Sequence, residues 1–150
     1  RRFATVSADD QRSKSRRAGL IEELEQLGVA EVPASFVHAP SQLPSGRAGL
    51  ADLLDRGVAA DVVVCGSDVL AHGVLIEAQA RGIAVPAGLA IAGFGDLSFA
   101  AHTVPALTTV RVDGARIGTI AAEAVLARLG GDSAPQIHDV GFSFVDRESA

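Results

Sequence analysis

Apolar and polar positions alternate between two periods along the 150-residue chain. A short apolar run over residues 3–6 ends in the turn-forming set Ser7-Ala8-Asp9-Asp10. Leu20, Ile21, Leu24 and Leu27 then recur at helical spacing, and Gly28 follows as a stop. Residues 35–38 read as a second strand, closed by Ala39-Pro40. A second helix, capped by Ser45, carries Leu50, Leu53 and Leu54 to Gly57. The β-branched run Val62-Val63-Val64-Cys65 fits a strand buried on both faces. Gly66-Ser67-Asp68 opens a third helix with Leu70, Val74, Leu75 and Ala78 inward and Gly82 as its stop. After Pro86 comes another buried strand over residues 89–94. Asp113 caps a fourth helix whose apolar face is Ile117, Ile120, Ala121, Ala124, Val125 and Leu129, ended by Gly130-Gly131. Extended pieces over residues 136–140 and 142–145 close the chain.

Strand–helix alternation with such short connectors predicts right-handed crossovers and a parallel sheet covered on both faces. Ligands of such sheets bind beyond the carboxyl ends of the strands. Four polar segments fall on that edge: Ser7-Ala8-Asp9-Asp10, His38-Ala39-Pro40-Ser41, Gly66-Ser67-Asp68 and Gly93-Phe94-Gly95-Asp96.

Composition narrows this further. With six Phe and no Trp or Tyr, the core must be aliphatic. A net charge of −5 argues against a nucleic-acid surface on this chain, because phosphate affinity needs clustered Lys and Arg. One cysteine, Cys65, excludes an internal disulfide and fits a buried thiol in a reducing, cytoplasmic compartment. No apolar stretch reaches the length of a membrane span, and no signal-like start is visible. The first residue is Arg1 and a strand begins almost at once, so the chain is expected to be a piece of a longer protein.

Catalytic chemistry is hard to find. His38, His72, His102 and His138 form no ligand pair at helical spacing, so neither a metal nor a cofactor is expected. There is no Gly-x-Ser-x-Gly elbow, and "GFGDLS" lacks the third glycine and the strand–turn–helix setting of a dinucleotide fingerprint. Ser67 and Asp68 read either as helix caps or as hydrogen-bonding groups for a small polar ligand. Asp96 reads either as a turn-former or as a ligand group. Arg12, Lys14, Arg16 and Arg17 crowd the start of the first helix, where cations oppose the macrodipole. They are either a solvated charge run or the holder of an anion.

The segments Ser67-Asp68, Ala71-His72-Gly73, Gly82-Ile83-Ala84-Val85-Pro86, Gly93-Phe94-Gly95-Asp96, Pro105-Ala106-Leu107-Thr108-Thr109-Val110 and Ile117-Gly118, with "SRRAGL" upstream, resemble the effector-binding domain of the lactose-repressor/galactose-repressor family of transcription regulators. The resemblance implies an α/β, parallel-sheet, periplasmic-binding-protein-like (type I) fold: two subdomains with the ligand in the cleft between them. Residues 1–112 and 141–150 would form the C-terminal subdomain and 113–140 part of the N-terminal one. The helix-turn-helix head that contacts operator DNA would lie outside this chain. The family's cleft arginine falls on Arg16, its sugar-contacting Asn on Ser67 and the adjacent Asp on Asp68. The first Asp of its Gly-Tyr/Phe-Asp-Asp turn falls on Gly95 and the second on Asp96. Arg12 and Phe94 complete the implied ligand set. The implied homodimer face holds His72, Ile76, Phe99, His102 and Val104, though Leu75 and Phe99 also read as ordinary core.

"GFGDLSFAAH", "LTTVRVDG" and the ending "VGFSFVDRESA" look most similar to the gluconate-operon repressor branch. A glycine at position 95 removes a carboxylate that would repel an anion. The expected effector is therefore a gluconate-like sugar acid, free or phosphorylated, acting on a repressor. The competing readings are a periplasmic-type sugar-binding transport protein and, far behind, an enzyme on a doubly wound sheet.

Overall fold

The computed structural model describes residues 1–131 and 137–150. Eleven elements follow in order, among them β1 (Phe3–Ala8), α1 (Gln11–Gln26), β2 (Ala34–Val37), α2 (Leu43–Asp55), β3 (Val62–Cys65), α3 (Asp68–Ala80) and β4 (Ala90–Ala92). A single 3-10 turn (Ala100–His102) leads to β5 (Thr109–Arg111), α4 (Gly114–Leu129) and β6 (Ser143–Val145). The first four strands make one parallel sheet in the order β2-β1-β3-β4, as the alternation predicts.

That order reverses direction between β1 and β3. The crossover through α1 runs outward to β2, while the crossovers through α2 and α3 run the other way. Helices are thereby sent to opposite faces. Ala4, Val6, Val63, Cys65 and Ile91 pack with Leu50, Leu53, Leu70, Val74 and Leu75 in one aliphatic core. Leu50, Leu53, Leu70 and Leu75 are each no more than 1% exposed. Burying one such side chain contributes about 1.5–3 kcal/mol.

Helices α2 and α3 touch backbone to backbone. A Cβ on Gly73 would meet the Gly46 Cα at 2.8 Å and the Arg47 amide nitrogen at 2.9 Å, so only glycine fits this crossing. Leu43 begins α2 after Gln42, which makes no side-chain cap, and a proline occupies the first turn. Ser45, the expected cap, lies inside the helix instead. Pro44 lacks the N–H that a cap would satisfy and has a preset φ, so the helix starts earlier. The caps expected of Ser67 and Asp113 are present: they accept from the amides of Leu70 and Arg116.

The strand expected to be buried on both faces is not. Val63 and Cys65 are buried, but Val62 and Val64 are only half so. The α2/α3 face of the sheet is closed, while the α1 face stays partly open near the carboxyl ends.

Beyond β4 the chain makes a short antiparallel pair, β5 with β6. Single parallel bridges, Ala92 to Thr108 and Gly95 to Arg111, tie the β5 segment to the edge of the main sheet. The chain's end returns to the same place. Ser149, fully buried, donates from Oγ to the Ile91 carbonyl at 2.6 Å and accepts from the Thr108 amide at 2.9 Å. Of the extended piece expected over residues 136–140, residue 136 lies outside the described residues and 137–140 form no strand. The piece over 142–145 becomes β6. Helix α4 has the apolar stripe the sequence predicts, yet none of its residues is buried.

Candidate functional site

The point where the strand order reverses is where a doubly wound sheet opens a crevice. Here the end of β1 carries Ser7, the end of β3 leads into Gly66, and the first turn of α1 overhangs both. A cavity of about 870 Å³ lies along this edge. Its floor is Thr5, Ser7, Val64, Cys65 and Gly66; Phe94 and Gly93 form one wall. Helix α1 adds Ser13, Arg16, Arg17 and Glu23, and the β5/β6 side adds Val110, Val112, Phe142 and Phe144. Most of the lining is apolar, and its charged members are Arg16, Arg17, Glu23 and Asp139.

Arg16 is held at two points. Its guanidinium carbon sits 3.8 Å above the centre of the Phe94 ring. Its Nη1 donates to the Gly66 carbonyl at 2.9 Å. Stacking and a hydrogen bond hold the plane of the fork, leaving donors for another acceptor. Partial burial, followed by the charge of nearby Arg12, lowers its pKa from the ordinary value. A bound anion would relieve both penalties. Arg17 is already committed: Nε donates to Thr5 Oγ1 at 3.1 Å and Nη2 to the Val32 carbonyl at 2.9 Å.

Of the seven residues expected at the ligand, the cavity lining includes two, Arg16 and Phe94. Arg12 is exposed one turn before Arg16 on α1, outside the cavity lining, and its charge acts on Arg16. Ser67 caps α3 by accepting from Leu70 N at 3.4 Å. Asp68 is fully buried and both its oxygens are taken. Oδ1 accepts from Thr109 Oγ1 at 2.5 Å and Oδ2 from the Leu97 amide at 2.7 Å.

Gly95 adopts φ 129°, a conformation that a side chain would strain. A Cβ built there would approach Asp68 Oδ2 and Leu97, each at 3.7 Å.

Asp96 faces the β5/β6 pair. Oδ2 accepts from Arg111 Nε at 2.6 Å and Oδ1 from Arg147 Nη2 at 2.7 Å. Burial alone would raise its pKa, but the hydrogen bonds and charges of the two arginines outweigh it and hold the carboxyl below its ordinary value. Asp96 therefore fastens β5 and the segment after β6 to the end of β4. In sequence it could not be told from a ligand carboxylate, because Arg111 and Arg147 lie far along the chain.

The expected dimer residues lie together on the α3 side. The His72 ring is 5.3 Å from that of Phe99. Ile76 is half-buried, His102 is exposed and Val104 is 80% exposed.

Of the floor residues, Ser7 stands in one of the four polar edge segments but not in the expected ligand set, and Thr5 and Val64 stand in neither. Their signal was the strand period: they alternate with core-facing Ala4, Val6 and Val63, so they point to the other face. Cys65, buried in the floor, has its thiol pKa pushed well up by burial and by the charge of Asp68, so it is no nucleophile at neutral pH. Among the described residues, no cluster of His, Cys, Asp or Glu could hold a metal ion, and no helix is long and apolar enough to cross a membrane.

Residues 1–150 match the model of the periplasmic binding protein-like domain. The chain belongs to that family. Its relatives include the HTH-type transcriptional regulator GntR of Pseudomonas aeruginosa, 36% identical over 155 residues, which span 99% of this chain and 44% of the relative. The HTH-type regulator AscG of Escherichia coli is 34% identical over 110 residues, 73% of this chain and 33% of the relative. Among solved structures, the transcription regulator GntR of Chromobacterium violaceum superposes with TM-score 0.92 at 35% identity, over 99% of this chain and 56% of that one. A sugar-binding regulator of the LacI family from Escherichia coli, solved with phosphate, superposes with TM-score 0.83 at 28% identity over 99% of this chain and 54% of that one. The domain thus spans about half the length of the proteins it matches, and those proteins are transcription regulators rather than enzymes.

Proposed function

We propose that this chain is part of the effector-sensing domain, mostly its C-terminal subdomain, of a transcriptional repressor whose ligand is a small sugar acid of the gluconate type. The observation that carries this is Arg16, stacked on Phe94 and hydrogen-bonded to the Gly66 carbonyl in a mostly apolar cavity. A carboxylate is the natural partner of a pre-oriented guanidinium. Glu23 lies two turns further along α1, about 10 Å away by helical rise, and accepts hydrogen bonds from hydroxyls rather than attracting an anion. A carboxylate at one end and hydroxyls along the tail match this distribution. The Escherichia coli relative was solved in complex with an anion, phosphate.

In this reading residues 1–112 and 141–150 form the C-terminal subdomain, and 113–140 belong to the N-terminal one. The ligand favours one angle between the two. Differential affinity for two arrangements then alters operator binding by a helix-turn-helix segment outside this chain. A second copy pairs through His72, Ile76, Phe99, His102 and Val104, and the protein works in the cytoplasm.

Calorimetric titration of the full-length protein with D-gluconate and with D-glucose tests the ligand. Saturable gluconate binding that shifts operator affinity is expected. Tight glucose binding with no response to gluconate overturns the sugar-acid reading.

A further inference from the structure

The cleft floor contains one polar group that the fold itself does not use. Ser7 is 3% exposed, lines the cavity and points to the open face of the sheet. The polar groups lining the cavity beside it each have a partner within the fold, although Arg16 keeps further donors free for a ligand. Thr5 Oγ1 accepts from Arg17, Ser13 Oγ donates to Asp10 Oδ2 at 3.3 Å, and Arg16 donates to the Gly66 carbonyl. The Ser7 hydroxyl makes no hydrogen bond with any described residue, and its oxygen is not among the sealed, partnerless atoms of the interior. What access it has is through the cavity.

Gly66 packs beside the serine: a Cβ there would stand 3.4 Å from Ser13 Oγ and 3.6 Å from the Ser7 Cα, ordinary packing distances. A hydroxyl left without a partner in an apolar surround is unfavourable, and a ligand that lacks the matching group is rejected for the same reason. We propose that Ser7 is the specificity residue of the cleft: its hydroxyl pairs with one hydroxyl of a polyhydroxylated ligand and so excludes the deoxy form. The assignment of hydroxyl rather than carboxylate rests on the reading above, in which Arg16 takes the charged end. A serine both donates and accepts, as a ligand hydroxyl does, whereas a carboxylate needs donors only.

The test uses the full-length protein, D-gluconate and its mono-deoxy derivatives, with Ser7→Ala and Ser7→Thr. Ser7→Ala is expected to weaken gluconate about tenfold. One deoxy derivative should bind wild type and Ser7→Ala equally, while the others keep the tenfold gap. Ser7→Thr keeps the hydroxyl and should retain the preference for gluconate over that derivative.

Unchanged gluconate affinity in Ser7→Ala overturns the proposal, and is the result if the serine holds only a water. An equal loss for every derivative also overturns it, since the serine would then only shape the cavity. If wild type ignores gluconate but binds D-glucose or D-ribose, the sugar-acid reading falls, and the same comparison with that sugar and its deoxy forms decides the role of Ser7. Binding of none of these ligands overturns both.

Discussion

Helices α3 and α4 each carry an apolar stripe, and only one stripe is covered. Seven of the thirteen residues of α3 are buried, among them Leu70, Val74 and Leu75. None of the sixteen residues of α4 is buried, and Leu126 and Leu129 are 67% and 81% exposed. The stripe in a sequence states that a helix needs a cover. It does not state which part of which chain supplies it. For α3 the cover is the sheet and α2. For α4 it is absent from the described residues, in a chain about half as long as its relatives.

The most forceful way to break this contrast is to cut into the covered helix. Leu70→Ala removes a side chain that is 0% exposed, where backbone packing between α2 and α3 leaves little room to collapse. A loss of about 3–4 kcal/mol is expected in urea unfolding. A loss below about 1 kcal/mol would mean that the α2/α3 face is not the closed core described.

A smaller effect is expected at the seam between the two regions. Asp96→Asn removes the charge that Arg111 and Arg147 share, and should cost about 1–2 kcal/mol at neutral pH. Its folded pKa lies below the ordinary 3.8, so its contribution is present above that pH and fades as pH falls through the folded value. The gap between wild type and Asp96→Asn should therefore shrink between pH 5 and pH 2. A constant gap would indicate that the charge is not what fastens the strands.

The least effect belongs to the uncovered helix. Leu126→Ser with Leu129→Ser should change the stability of the 150-residue chain by no more than about 0.5 kcal/mol. In the full-length protein the same pair should be clearly destabilising, if a further segment covers α4. Equal, small changes in both would break the comparison.

Much of this arrangement was legible beforehand. Strand and helix periods placed the sheet, its helices and the carboxyl-end edge, and glycine stops marked helix ends within a residue or two. What the sequence hid was the commitment of individual side chains. Asp68 and Asp96 sit where ligand carboxylates are expected, but Thr109, Arg111 and Arg147 reach them from distant positions, and no local pattern announces that. Ser45 was misplaced as a cap because a proline one residue earlier competes for the helix start. Ser7 was hidden for a different reason: an isolated serine at a strand end looks like a turn former until the pleat shows which face it occupies.

The Asp96 bridge has a mechanical side. Both chain segments leading to and from α4 are riveted to one carboxylate at the edge of the sheet. Outboard of that rivet, on the α4 side, lie Val112 and Gly141, both of which also line the cavity. Under the proposed function, a ligand in that cavity would sit beside the turning point, where a small displacement gives a wide arc.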